Sequence, residues 1–278
     1  MRKQKKMSAG GFLALTVILT MLLCGCGKTG PWQDKQEEKD TAAETDSEQG
    51  KADQTEQEQE RETELETEGQ VQEPVQADKI IALTFDDGPS VTTTKVLDIL
   101  EEYDIVATFF LIGQNIPGNE KIVDRQVAMG CELCNHSYSY DSMDQMTPEE
   151  IQKSIADTTA LIEETAGQTP MFFRPPNIAI SNTMYENIDL PFICGFLCND
   201  WVPTETAKQR CDSVLKQAKD GGIILLHDFY GNDKTVEALP AIIEGLQADG
   251  YEFVTLSELF ERKGVDPDVE YKIWTVVE

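Results

Sequence analysis

Asp86 and Asp87 stand side by side in TFDDGP, directly before a Gly-Pro pair. Two carboxylates this close cannot both stay ionised cheaply without a cation nearby, and a divalent metal would supply one. The chain has only two histidines, His136 in NHSYSY and His227 in IILLHD. A neutral imidazole is a metal ligand and a charged one is an acid. Together with the carboxylates they offer a metal site, an acid–base pair, or both. Leu225 and His227 are two residues apart, so they share one face of a strand. Arg174 in RPPN adds a planar cation suited to pairing a carboxylate, and Asp200 in NDW adds another anion. Each stretch alone also has an ordinary reading. Asp-Asp-Gly-Pro suits a turn, Arg-Pro-Pro a loop, and His-Asp a helix cap.

The elements around these residues make the ordinary readings harder to hold. KIIALTF, VATFFLIG, CELCNH, MFFR, PFICGF, IILLH and YEFVTL read as short strands. Between them, VTTTKVLDILEEY, Pro117 to Met129, TPEEIQKSIADTTALIEETAG, TAKQRCDSVLKQAKDGG and KTVEALPAIIEGLQADG have helical spacing, and SELFER reads as a last turn. The third of these helices has the firmest ends: Thr147 as N-cap, Pro148 at the first position, Glu150 completing a capping box, and Gly167 at the stop. Strand alternating with helix predicts a parallel α/β sheet or barrel. Six or seven such units are too few for an undecorated eight-unit barrel, so the expectation is a distorted, incomplete (β/α) barrel. In such folds the C-terminal strand ends gather at one face, where chemistry sits. DD, NH, RPPN, NDW and HD follow strand after strand, and their joint placement predicts one polar site.

TFDDGP, NHSYSY, RPPN, NDW and LLHD, in this order over 78–262, resemble the five motifs of the NodB-like polysaccharide deacetylases, carbohydrate esterase family four. The resemblance covers the whole predicted domain. It implies a distorted (β/α) barrel that removes acetyl groups from an acetylated polysaccharide with a divalent metal (zinc, cobalt, nickel or manganese) at its mouth. On this resemblance Asp86 is the base, Asp87 and His136 are metal ligands, and Arg174 orients Asp86. His227 is the acid, supported by Asp200. Trp201 and Leu225 wall the acetyl pocket, and a backbone N–H near Asn177 holds the oxyanion. Two departures stand out. The family's second histidine ligand is here Tyr140, a neutral phenol and a poor ligand, placed instead at the substrate pocket. The first aspartate of the family's fourth motif is Leu197. FFRPPNIAISNTMYENIDLPFICGF is similar to the acetylxylan esterase branch, which implies O-acetyl xylan as substrate. N-acetyl groups of peptidoglycan or chitin, and a silent carbohydrate-binding role, are the competing readings.

The rest of the chain sets the context. MRKQKK followed by FLALTVILTMLLC reads as an export signal, too short to span a membrane. Leu23-Cys24-Gly25-Cys26 resembles a lipobox, so residues 1–26 are expected to end in a lipidated Cys26 that anchors the protein to the outer face of the bacterial cell membrane. Residues 27–77 are rich in Glu, Gln, Asp and Thr, with no large apolar side chain between Trp32 and Leu65. Such a segment cannot offset its chain entropy and is expected to be a disordered tether. The formal net charge of −28 argues against nucleic acid as a partner. No protein partner is implied. Residues 263–278 read as a C-terminal tail. Cys131-x-x-Cys134 invites a zinc reading, but a structural site would need another close pair, for which Cys194 and Cys198, four residues apart, are a weak candidate; small buried hydrophobes are the simpler account. Cys134 shares a strand face with His136, which leaves an approach to the metal open.

Overall fold

The computed structural model describes residues 79–278. The expected signal, Cys26 and the acidic tether lie outside the described residues. Strand β1, Lys79–Asp86, is the central element. One edge is shared by β7 (Tyr251–Val254) along Lys79–Ala82 and by β2 (Thr108–Leu111) along Thr84–Asp86; β6 (Gly222–His227) takes the other edge. Strand β3, Glu132–Asn135, continues outward from β2, and each of these four pairings is parallel. Alternation along β1 separates two cores. Ile81, Leu83 and Phe85 face the helices. Ile80 and Ala82 face inward with Phe110, Cys134 and Ile223. Thr84 and Asp86 extend that inward row to the strand end, so Asp86 emerges at the barrel mouth.

The helices follow their local signals. Helix α1 is Val91–Glu102, capped by Ser90. Helix α2 is Glu120–Ala128, shorter than the 117–129 expected, because Gly118 turns through the left-handed region (φ 91°) before it starts. Helix α3, Pro148–Ala166, has the anticipated Thr147–Glu150 capping box and ends at Gly167 with φ 65°. A further helix, α4, spans Asn182–Asn187. Helices α5 (Ala207–Gln217), α6 (Asp233–Ala248) and α7 (Leu256–Lys263) complete the set. SELFER is therefore about two turns rather than one, with Thr255 as its cap.

Three expectations need correction. MFFR is not a strand. Only Phe173 bridges its neighbours, Asn135 on one side and Phe192 on the other. Pro170 and Pro175 bracket the segment, and proline removes the donors a ladder needs. PFICGF is not one strand but two, β4 (Phe192–Ile193) and β5 (Phe196–Leu197). Gly195 between them has φ 109°, and a Cβ there would sit 3.0 Å from the Ile223 carbonyl oxygen. Residues 263–278 are not a loose tail. They carry β8 (Ile273–Trp274), which pairs with β4, while Val276 bridges Gly222 and Val277 is buried. Trp274 packs edge-on against Phe260, 5.1 Å between centroids, in the interior cluster that includes Ile80 and Ile223. Since β5 pairs with β6, the pairings close a distorted barrel, held on one side by single-residue bridges.

Candidate active site

Strand register brings the central pair together. Asp86 and His227 are direct partners across β1 and β6, and Asp86 is opposite Phe110 on β2. Their inward side chains meet at the mouth of a cleft of about 370 Å³, which Asp87, His136, Tyr140 and Trp201 also line. Asp87 can serve the same site as its neighbour because its own backbone is left-handed, φ 78°. The turn that re-aims the chain thus begins at Asp87, one residue before Gly88-Pro89. Gly88 is needed for a different reason. A Cβ on it would sit 2.6 Å from Asp228 Oδ2.

Arg174 is fully buried and its Nη1 donates to Asp86 Oδ1 at 2.5 Å. Its guanidinium lies over the Phe110 ring, 4.0 Å from the centroid, an arrangement that favours a desolvated cation. The pair fixes Asp86 with one oxygen held and Oδ2 directed toward His136 Nε2, 3.7 Å away. His136 Nε2 is 3.4 Å from Asp87 Oδ1. His136 Nδ1 lies 2.7 Å from the Arg174 carbonyl oxygen. A carbonyl can only accept, so Nδ1 carries the proton and Nε2 faces the carboxylates, the tautomer that a metal ligand needs.

The electrostatics of this corner show how strongly it attracts positive charge. Burial opposes the charged form of Asp87, yet the His136 hydrogen bond and the charges of His136 and His227 hold its pKa below the usual carboxylate range. Burial likewise opposes a charged His136, but Asp86 and Asp87 push its pKa up. Two anions and one imidazole facing one another call for a positive charge among them, and this donor set fits a divalent metal held by Asp87 and His136. Among the described residues no group of three or more His, Cys, Asp or Glu is arranged as a metal cluster, so water would complete the shell. Tyr140 does not replace the missing ligand. Its hydroxyl donates to the Asp87 carbonyl at 3.2 Å and accepts from Asn115 Nδ2 at 2.8 Å. Burial raises its pKa, only partly opposed by the Asn115 hydrogen bond, so it stays a neutral phenol at the cleft edge.

Across the cleft, His227 Nδ1 is 2.7 Å from Asp200 Oδ1. Asp200 is fully buried, and its Oδ2 accepts the His227 backbone N–H at 2.8 Å. Burial lowers the pKa of His227, but the Asp200 hydrogen bond and charge, with Asp86 and Asp87 beyond, push it up to about 9. Asp200 therefore pairs with His227 despite the incomplete fourth motif. Trp201, half-exposed, packs edge-on against His227 at 5.5 Å between centroids. Leu225 and Asn177 line the same cleft; Asn177 has a left-handed backbone, φ 56°, and its Nδ2 donates to Ser142 at 3.1 Å.

The cysteines separate from the site. Cys131 is in the helix-side core and Cys134 in the interior core, so this CxxC pair does not converge. Burial raises the Cys134 thiol well above its ordinary value, and among the described residues Cys134 does not join two other metal-ligating side chains in a cluster. All five described cysteines are free and buried.

Several site residues escaped the sequence reading. Asn115 holds both Tyr140 and the Asp87 carbonyl, the latter at 3.0 Å. Asp228 is a buried carboxylate whose backbone N–H donates to the Asp86 carbonyl and whose Oδ2 accepts from Thr93 at 2.5 Å. Burial pushes its pKa up to about 7, with the Asp86 and Asp87 charges adding to the effect against the Thr93 hydrogen bond. Thr235 and Asn232 both donate to Asp200. Asp228 was visible in LLHD, but as a helix cap; the N-cap of α6 is Asn232.

The comparisons with known proteins agree with this geometry. The family profile described as polysaccharide deacetylase matches residues 74–190. The crystal structure of the Xyl-CE4 domain of a multidomain xylanase from the hindgut metagenome of Trinervitermes trinervoides is 57% identical, with a TM-score of 0.71 over 72% of this chain and 98% of that one. The chain belongs to the polysaccharide deacetylase family. A second similar structure is a family 4 acetyl xylan esterase from Clostridium thermocellum in complex with a cobalt ion, 50% identical, TM-score 0.70, covering 72% of this chain and 99% of that one. Among curated relatives, the bifunctional xylanase/deacetylase of Pseudobutyrivibrio xylanivorans is 61% identical over 203 residues, 73% of this chain and 34% of the relative. The chain spans roughly a third to two fifths of the length of the first curated relatives it matches. Membership in the deacetylase family thus rests on one domain, the one that holds the cleft.

Proposed function

We propose that this deacetylase-family chain is a hydrolase that releases acetate from O-acetyl groups of xylan with the help of a divalent metal. The observation that carries the reading is the opposition of two buried pairs across one cleft, Arg174–Asp86 and Asp200–His227. One pair holds a proton acceptor and the other a proton donor. A metal on Asp87 and His136 would polarise the acetyl carbonyl and make water acidic. Asp86 Oδ2, not engaged by Arg174, takes a proton from the attacking water. The backbone near Asn177 faces the carbonyl oxygen as negative charge builds there. His227 Nε2 gives its proton to the sugar oxygen as the C–O bond breaks, and acetate departs. Leu225 and Trp201 enclose the acetyl methyl and keep bulk water from it.

The likeness to a xylanase/deacetylase and to acetyl xylan esterases supports xylan. The test is acetate release by the full chain, stripped of metal and then given Co²⁺ or Zn²⁺. Release from acetylated xylan that returns with metal is the expected result. Faster release from N-acetylated glycan oligomers would move the substrate to peptidoglycan or chitin. No release from either, with any metal, would leave a carbohydrate-binding role.

Export and lipid anchoring are the second part of the proposal, supported by the LCGC motif at Leu23–Cys26 and the acidic, core-free stretch after it. A multiply acylated cysteine holds a membrane where a single chain does not. Radiolabelled palmitate incorporated by cells should appear in the wild-type chain and disappear in Cys26→Ser. Equal labelling of the two would remove the anchor.

A further inference from the structure

Arg210 lies on α5, in a polar stretch that gives no hint of a site, yet it is buried. Its Nη1 donates to Asn232 Oδ1 at 2.6 Å and to Thr235 Oγ1 at 2.7 Å, and its Nη2 to the Val202 carbonyl at 3.2 Å. A guanidinium is a donor only. Asn232 and Thr235 can each donate or accept, so their contact with Arg210 settles their orientation. The Asn232 oxygen must face Arg210, which turns its Nδ2 toward Asp200 Oδ2 at 3.2 Å and the His227 carbonyl at 2.8 Å. The Thr235 oxygen must accept from Arg210, which sends its own proton to Asp200 Oδ2 at 2.9 Å. With the His227 backbone N–H, three donors then hold Oδ2 and leave Oδ1 for the imidazole. The Val202 contact ties the same guanidinium to the segment that follows Trp201.

We propose that Arg210 is a positioning residue for His227. It polarises Asn232 and Thr235 so that both donate to Asp200, and this locks the Asp200–His227 geometry. The inference rests on His227 being the acid of the deacetylase reading, but it concerns a network that can be examined without turnover. A positioning role and a bare charge effect differ in sign. The charged groups facing His227 are Asp200 behind it, Asp86 and Asp87 in front, and Arg210 beyond Asp200. Arg210 as a cation alone disfavours imidazolium, so its removal by charge alone would favour the protonated ring. Loss of positioning frees Asp200 from its donors and weakens its hold on the imidazole, which disfavours the protonated ring.

The test uses the full chain labelled with ¹⁵N-histidine. Only two ring systems then appear, since the chain has two histidines, and His227→Gln assigns them. In Arg210→Met the titration midpoint of His227 should fall by about one unit, and kcat on acetylated xylan should fall about tenfold with KM within about twofold. Thr235→Val should lower the midpoint in the same direction, and Thr235→Ser, which keeps the hydroxyl, should restore it; this pair serves if Arg210→Met fails to fold. A midpoint that rises in Arg210→Met would make Arg210 a bare charge. An unchanged midpoint in both Arg210→Met and Thr235→Val would make the network purely structural. Either result overturns the proposal. Because the resonances are read without substrate, failure of the deacetylase reading would show as absent turnover with the midpoints behaving as stated.

Discussion

In Asp86→Asn, kcat for acetate release falls by about 10³-fold, the scale of losing a positioned general base, while Co²⁺ binding persists. The reasoning starts from what asparagine keeps. Its side-chain oxygen can still accept from Arg174 Nη1, so the fully buried guanidinium retains a partner and its place over Phe110. The groups expected on the metal, Asp87 and His136, are unchanged, and the Arg174 carbonyl still fixes the His136 tautomer. What disappears is the second oxygen as a proton acceptor facing His136 and the cleft. The amide that replaces it is not basic near neutrality. One cost accompanies the loss, since a buried cation whose partner has become neutral is destabilised, and the unfolding midpoint in urea should drop. The experiment therefore pairs kcat with a Co²⁺ titration followed by visible absorption. Lost turnover with Co²⁺ still bound assigns the base to Asp86. Turnover within about tenfold of wild type would take that role away from Asp86, and lost Co²⁺ binding would make it a ligand instead.

The parts of this molecule that could be read in advance are those whose cause is local. Thr147, Glu150 and Gly167 bound α3 because capping involves residues a few positions apart. Asp86, His136 and His227 were legible because a strand end in a parallel α/β fold points to one face, whatever the rest of the chain does; Arg174 reaches that face from a segment that forms only a single-residue bridge at Phe173. The misread elements all depend on distant partners. Phe173 lies between Asn135 and Phe192 through single bridges, and its own sequence cannot report that. Ile273 and Trp274 become a strand only because β4, some eighty residues earlier, offers them an edge. Gly195 looks like any glycine until the Ile223 carbonyl comes within reach. The same holds within the site. Arg210, Asn232 and Thr235 are polar residues at or in helices whose sequences give them an ordinary solvent-facing reading. Burial against Asp200 is a tertiary fact. Asn115 gains its role only when the loop bearing Tyr140 folds over Asp87.

Asp200→Asn tests the opposite wall of the cleft, and its effect has a sign in pH. His227 must be protonated to donate, so activity persists below its pKa and falls as pH rises through it. Burial alone would lower that pKa. The Asp200 hydrogen bond and charge are the largest upward influences, ahead of Asp86 and Asp87, and together they carry it from 6.5 to about 9. Asparagine can still accept the Nδ1 proton, but it brings no charge. Its amide nitrogen would also meet three donors at the position of Oδ2: the His227 backbone N–H, Asn232 and Thr235. Donor against donor disturbs the geometry as well as the charge, so kcat should fall about 10²-fold or more. The alkaline limb of the kcat–pH profile should move to lower pH in the variant, toward the ordinary histidine range. The same linkage governs stability. A histidine whose pKa is raised on folding stabilises fully below its unfolded value of 6.5, and that contribution is lost as pH rises through about 9. The gap in thermal midpoint between wild type and variant should thus be widest below pH 6.5 and narrow above 9. Coincident alkaline limbs in the two proteins would mean that Asp200 orients His227 without holding its proton, and that the proton is held by Asp86 and Asp87 from the other side.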